Sequence, residues 1–162
     1  MTVASEVPVG RALAVLASAL NGVIEAVEAG GLDHFDTGDF VEFVQEFERV
    51  RIRMPLVDHR MLRDAERRDL AGTLCQGRLS RVLTQALRIS AGEASRRVRA
   101  AEQLGGRVSM TGEPLPPVRP VLAAGQREAL VTAEQVAIVL TGLGKVDRPG
   151  STRRTSSAVR RR

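Results

Sequence analysis

The sequence predicts an all-α protein: a long antiparallel helical pair, a helix-turn-helix-like hairpin, a short C-terminal helical unit and a disordered basic tail. Three observations carry this. Apolar residues recur at alternating spacings of three and four over long stretches, the signature of one face of a helix. Helix-capping patterns stand where those stretches begin. Aromatic content is 2%, with no Trp or Tyr and with Phe35, Phe40, Phe43 and Phe47 as the aromatic residues. A core of Ala, Leu and Val suits interhelical packing better than a sandwich or barrel. The 162 residues are 43% hydrophobic and 27% charged, as in soluble globular chains.

The first helix is marked by Val9, Leu13, Leu16, Leu20, Val23 and Val27, a single stripe that Gly30 and Gly31 should end. Residues 12–20, ALAVLASAL, resemble the apolar core of a signal peptide. The preceding Glu6 and the polar continuation NGVIEAVEAG favour an amphipathic helix instead. No stretch reads as the roughly 20 apolar residues of a membrane span. Asp36, Thr37 and Asp39 can cap the next helix. Its stripe, Phe40, Phe43, Phe47, Val50, Met54, Val57 and Met61, pairs naturally with the first and reads as internal core, with helical dimerisation as the alternative. Pro55 should kink or break it near Arg53.

AGTLCQGR is a glycine-punctuated loop. Ser90 with Glu93 forms a capping box, so one helix ends near Arg88 and another runs from Ala91 to Gly105. The stretch MTGEPLPP cannot be helical. A second capping box, Thr132 with Gln135, opens a further helix to about Leu140. The predicted organisation is a helical bundle over 1–105, a Pro/Gly connector over 106–120, a C-terminal helical unit over 121–144 and a disordered tail over 145–162. That tail holds Lys145 and six arginines against Asp147, so it carries the basic excess of a chain with net charge +5.

Catalytic chemistry finds no support. Gly72 and Gly77 have the spacing of a phosphate-binding loop, but Arg78 stands for its lysine, Leu79 for its metal-binding hydroxyl, and no strand precedes them. His34 and His59 lie far apart, and His59 beside Asp58 reads as a solvated residue on a charged face. Cys75 is alone, which excludes an internal disulfide or a cysteine-based zinc site and fits a reducing cytoplasm. No cofactor or small-molecule substrate is implied. The sharper reading is a helix-turn-helix, with Leu83, Leu87, Ile89, Ala94 and Val98 packing inward and Ser95, Arg96, Arg97 and Arg99 available to a DNA groove or its phosphates. In the tail, Arg153, Arg154, Arg160, Arg161 and Arg162 could add phosphate contacts. Glu93 and Glu102 oppose this reading, and Arg88 stands where a turn glycine is usual. The alternative class is a helical assembly module acting through Leu13, Leu16, Leu20, Phe43 and Phe47, as homo- or hetero-oligomer and without a membrane.

The run from Leu83 to Val139, LTQALRISAGEASRRVRAAEQLGGRVSMTGEPLPPVRPVLAAGQREALVTAEQVAIV, resembles the helical domain of unknown function in the mycobacterial thirteen-E-twelve repeat family. LRIS, the capped Arg-rich helix, TGEPLPP and VTAEQV follow in the family's order, and FERVRIRMPLVDHRML resembles its long second helix. The likeness covers roughly residues 35–146. It implies an all-α domain usually placed before an HNH endonuclease domain, in which histidines and an Asn-like residue hold a divalent metal. Here Asn21 is the one asparagine and both histidines precede Arg60, so no nuclease residue carries over. The expectation is a shortened, non-catalytic member, or a non-functional remnant.

Overall fold

A computed structural model describes residues 9–146. It is all-α apart from one minimal hairpin, and it divides between Glu46 and Phe47 into two compact units. The predicted tail from Asp147 onward, with Arg153, Arg154, Arg160, Arg161 and Arg162, lies outside the described residues.

In the first unit, α1 spans Val9–Glu28. It stops where the sequence says it should. Gly30 donates to the Val27 carbonyl and Gly31 to that of Ala26, closing a Schellman turn in which Gly30 takes φ 82°. A Cβ there would sit 2.7 Å from an Asp33 carboxylate oxygen as well as straining the backbone. The Asp36 carboxylate then accepts from the Asp39 amide at 2.9 Å and opens α2, Thr37–Arg53. Phe35 meets Phe43 edge-on, with ring centroids 5.9 Å apart.

One expectation changes here. α1 buries none of its residues, and Leu13 is 64% exposed. Its 20 residues are also long and apolar enough, by length and composition, to cross a membrane, contrary to the reading that no segment comes close.

Pro55 does break the second stripe. α2 ends at Arg53 and α3 spans Pro55–Arg67, with Met54 still in right-handed helical geometry between them. The joint is tightened by i to i−3 bonds, Met54 to Arg51 and Val57 to Met54. The core face is not the predicted one. Ile52, His59 and Leu62 are buried, whereas Val50, Met54, Val57 and Met61 are exposed on the opposite side. The helix is apolar on two faces, and periodicity alone cannot say which one the fold covers.

A short turn of helix, α4 (Leu70–Thr73), follows, capped by Asp69 in left-handed geometry. Gly72, whose spacing to Gly77 only mimics a phosphate-binding loop, lies within it. Next come α5, Leu79–Leu87, and α6, Ala91–Leu104, as the capping pattern predicts. Leu62, Leu79, Val82 and Ala101 form one apolar cluster, joined by Leu83 and Val98. Leu87, expected inside, is half exposed, because the core face of α5 is set by Leu79 and Val82.

Arg88 adopts φ 55°, ψ 33°, the left-handed conformation a turn glycine would take without a Cβ penalty. Arg88→Gly is therefore expected to stabilise the fold, by on the order of 0.5 kcal/mol after glycine's greater unfolded freedom is set against the relieved strain. Chemical denaturation would measure it, and a loss of stability would refute it.

The proline stretch is not a plain extended connector. Arg107–Val108 (β1) pairs antiparallel with Pro114–Leu115 (β2), in register Arg107 to Leu115 and Val108 to Pro114. Ser109 locks the turn: its amide donates to the Glu113 carbonyl at 2.8 Å, and its hydroxyl accepts from the Glu113 amide at 3.0 Å. Beyond it, α7 (Pro120–Arg127) and α8 (Ala133–Val146) return to α6. The second capping box is reciprocal, with Gln135 to Thr132 bonds of 3.2 and 2.9 Å. Val136 and Leu140 join Leu104 in a second cluster, flanked by Ala100, Leu122, Ala123 and Val131. Residues on both sides of the 106–120 stretch thus share one core.

Candidate functional site

The residues singled out by sequence sit on α6, the helix against which α3, α5, α7 and α8 all pack. Its buried side is small, Ala94 and Ala101 with Leu104, which lets the neighbours approach closely. Ser95, Arg96 and Arg99 share the exposed stripe, as i, i+1 and i+4 spacing requires, and Arg97 is half-buried to one side.

These arginines are already engaged. The Ser90 hydroxyl accepts from the Glu93 amide at 3.1 Å, the first half of the expected capping box. The Glu93 carboxylate, expected to reach back, turns forward instead. It accepts from Arg96 at 2.7 Å and from Arg97 at 2.8 Å. These two guanidinium bonds, Arg97's foremost, hold the Glu93 carboxyl below its ordinary range. Arg97 also lies 3.5 Å from Asp58 on α3, and its bond to Glu93 raises its own pKa. Arg99 donates to the Leu140 carbonyl of α8. Gly144 makes room for that approach, since a Cβ there would stand 2.6 Å from the Arg99 guanidinium. The arginines thus tie α6 to α3 and α8 while leaving outward surface on Arg96 and Arg99. Farther along α6, Glu102 has a raised pKa, through burial first and then the nearby Glu66 carboxylate.

The structure adds a pair that sequence reasoning missed. His59 is 4% exposed and its Nε2 lies 2.8 Å from Oε1 of Gln126, itself 1% exposed. His59 is a buried residue and not a solvated one. Because Oε1 can only accept, the ring donates from Nε2 and its Nδ1 carries a lone pair. That Nδ1 and the Gln126 amide nitrogen have no hydrogen-bond partner. Burial lowers the His59 pKa and outweighs the opposite pulls of Gln126 and Asp58, so the ring is neutral at physiological pH. Both side chains line a cleft of about 950 Å³ between α3, α6, α7 and α8. Nothing in the local sequence marked this pair, since Gln126 is 67 residues from His59.

Among the described residues, no three His, Cys, Asp or Glu side chains gather as a metal-binding group.

Residues 41–162 match the family described as "Domain of unknown function (DUF222)". The chain is 33% identical over 129 residues to "Uncharacterized protein MT1160" of Mycobacterium tuberculosis (strain CDC 1551 / Oshkosh), covering 80% of this chain and 30% of that protein. It is 36% identical over 108 residues to "Uncharacterized protein Mb1179c" of Mycobacterium bovis (strain ATCC BAA-935 / AF2122/97), covering 64% of this chain and 23% of that protein. The chain thus spans less than a third of the length of these relatives. No solved structure matches it. With three quarters of its length inside the match, the chain belongs to the DUF222 family.

Proposed function

We propose that this protein is a non-catalytic, cytoplasmic helical assembly module that pairs with a second copy of itself through the apolar stripe of α2 and α3. One observation carries the reading: Val50, Met54, Val57 and Met61 are exposed at alternating spacings of four and three while a different face of α3 fills the core. A repeat of 3.5 residues is the seam of helix-on-helix pairing. Charge supports a second copy running antiparallel. The flanking positions carry Asp39 and Glu46 before the stripe's midpoint and Arg53 and Arg60 after it, so acid meets base across the seam. Association with an HNH nuclease domain in longer relatives belongs to the same proposal and rests on the sequence resemblance.

Sedimentation equilibrium tests it. The chain is expected to dimerise, and Val50→Glu/Val57→Glu, at exposed positions, to return it to monomer with its helical circular dichroism intact. A wild-type chain that stays monomeric at the highest soluble concentration would sink the proposal.

A second reading, DNA association, is favoured by the shared exposure of Ser95, Arg96 and Arg99 on α6. A phosphate would have to compete with Glu93 for Arg96 and Arg97, so binding should be weak and steeply salt-dependent. Fluorescence anisotropy with duplex DNA is expected to lose its signal in Arg96→Ala/Arg99→Ala. Binding that survives this variant and vanishes on ending the chain at Leu143 would move the contact to the tail.

A further inference from the structure

α7 is held differently from the helices around it. The cluster of Leu62, Leu79, Val82 and Ala101 is built by α3, α5 and α6. To the second cluster α7 supplies Leu122 and Ala123, both only partly buried. The side chain that α7 does bury is polar: it is Gln126, which meets His59 of α3. That contact is incomplete, since His59 Nδ1 and the Gln126 amide nitrogen are both buried without a partner. The ends of the helix suit a hinge. At its start the Arg119 amide donates to the Gln103 carbonyl of α6 at 3.0 Å. Past its end Ala129 takes φ 59°, a left-handed conformation that its Cβ disfavours. A helix of 8 residues is also unstable in water once its packing is lost.

We propose that α7 is an acid-released latch: a proton taken up by His59 lifts α7 off α3 and α6 before the rest of the unit unfolds. Nε2 already gives its hydrogen to the Gln126 side-chain oxygen, so the added proton must enter at Nδ1. There it is a buried charged donor with no acceptor within reach. The charged groups of the surrounding cleft do not offset this. Asp58 on α3, Glu93 on α6 and Glu134 on α8 are outnumbered by Arg96, Arg97 and Arg99 on α6 and Lys145 on α8, and both Asp58 and Glu93 already pair with Arg97. α7 itself brings Gln126 to the cleft and no ionisable group. Lifting α7 hydrates the imidazolium and the Gln126 amide together, and it leaves the first cluster in place. Burial lowers the pKa of docked His59 below its ordinary 6.5, so the lifted state takes the proton first and gains as pH falls.

Native-state hydrogen exchange of the full chain, corrected for the intrinsic pH dependence of amide exchange, provides the test. The amides of Ala123, Glu128 and Leu130, bonded to the carbonyls of Arg119, Ala124 and Gly125, report on α7. Their opening constants are expected to rise about tenfold between pH 7.5 and 5.5, the limit for opening linked to one proton. At pH 5.5 they should exceed those of α3 and α6 amides at least tenfold, because the latch opens ahead of unfolding. In His59→Leu/Gln126→Leu the rise should vanish. His59→Gln keeps a neutral donor toward Gln126 and should abolish the rise as well, which keeps the comparison available if the double variant does not fold. Opening of α7 that ignores pH in the wild type, equal opening of α3, α6 and α7, or a rise that persists in both variants would overturn the proposal.

Discussion

Replacing Leu140 with Ala is expected to destabilise the unit that begins at Phe47 by about 2–5 kcal/mol, the usual cost of truncating a buried leucine. Leu140 is 4% exposed and shares a cluster with Leu104 and Val136, so the cavity would open between α6 and α8. The same backbone carbonyl anchors Arg99, which couples the two helices a second time. Hydrogen exchange separates a shared core from an independent C-terminal unit. Amides of α6 and α8 should both lose protection in Leu140→Ala. Faster exchange confined to α7 and α8 would show that these helices fold apart from α6.

The second large effect concerns His59. Gln126→Leu removes the acceptor from a buried ring N–H and is expected to cost about 1–3 kcal/mol. His59→Leu/Gln126→Leu removes both polar groups and should recover most of that loss. The pH dependence follows from linkage. Burial lowers the folded-state pKa below the ordinary value of 6.5, so below that pH the unfolded chain binds the extra proton and the folded chain does not. Stability is therefore complete above pH 6.5 and falls as the pH drops toward the folded-state pKa. Asp58 on α3, Glu93, Arg96 and Arg97 on α6, and Glu134 and Lys145 on α8 line the same cleft. Of these, Glu93 titrates below its ordinary range, away from the His59 window. Glu102, outside the cleft, has the opposite sign: its raised pKa makes stability fall as pH rises past 4.5. Thermal denaturation from pH 7.5 to 5 should show a decline in the wild type that His59→Leu/Gln126→Leu lacks. An identical decline in both would assign the effect elsewhere.

These expectations depend unequally on what the sequence exposes. The ends of the helices follow from local chemistry. Gly30 and Gly31 close α1, Asp36 opens α2, Pro55 breaks the second stripe, and Ser90 and Thr132 cap α6 and α8. Each of these contacts spans a few residues, so neighbouring side chains suffice to specify it. The all-α class follows in the same way from apolar repeats and the near absence of aromatics. The likeness to a domain of unknown function was carried by an ordered series of short segments from LRIS to VTAEQV, and the match over 41–162 shows that coarser membership, while the HNH association stays with the proposal.

Tertiary structure decided everything that depends on which apolar face meets which neighbour. α3 carries Leu62 on one face and Val57 and Met61 on another, and only packing against α6 selects the first. His59 looked solvated because Asp58 stands beside it. Its real surroundings are supplied by Gln126 from α7, a contact that no local pattern encodes. The arginines of α6 read as free cations until folding set Glu93, Asp58 and the Leu140 carbonyl against them. The sequence by itself determined where helices begin and end, because caps and glycines act within a turn. Burial, pairing and proton affinity were decided by contacts between residues far apart in the chain, because these properties belong to the environment a side chain enters and not to the side chain alone.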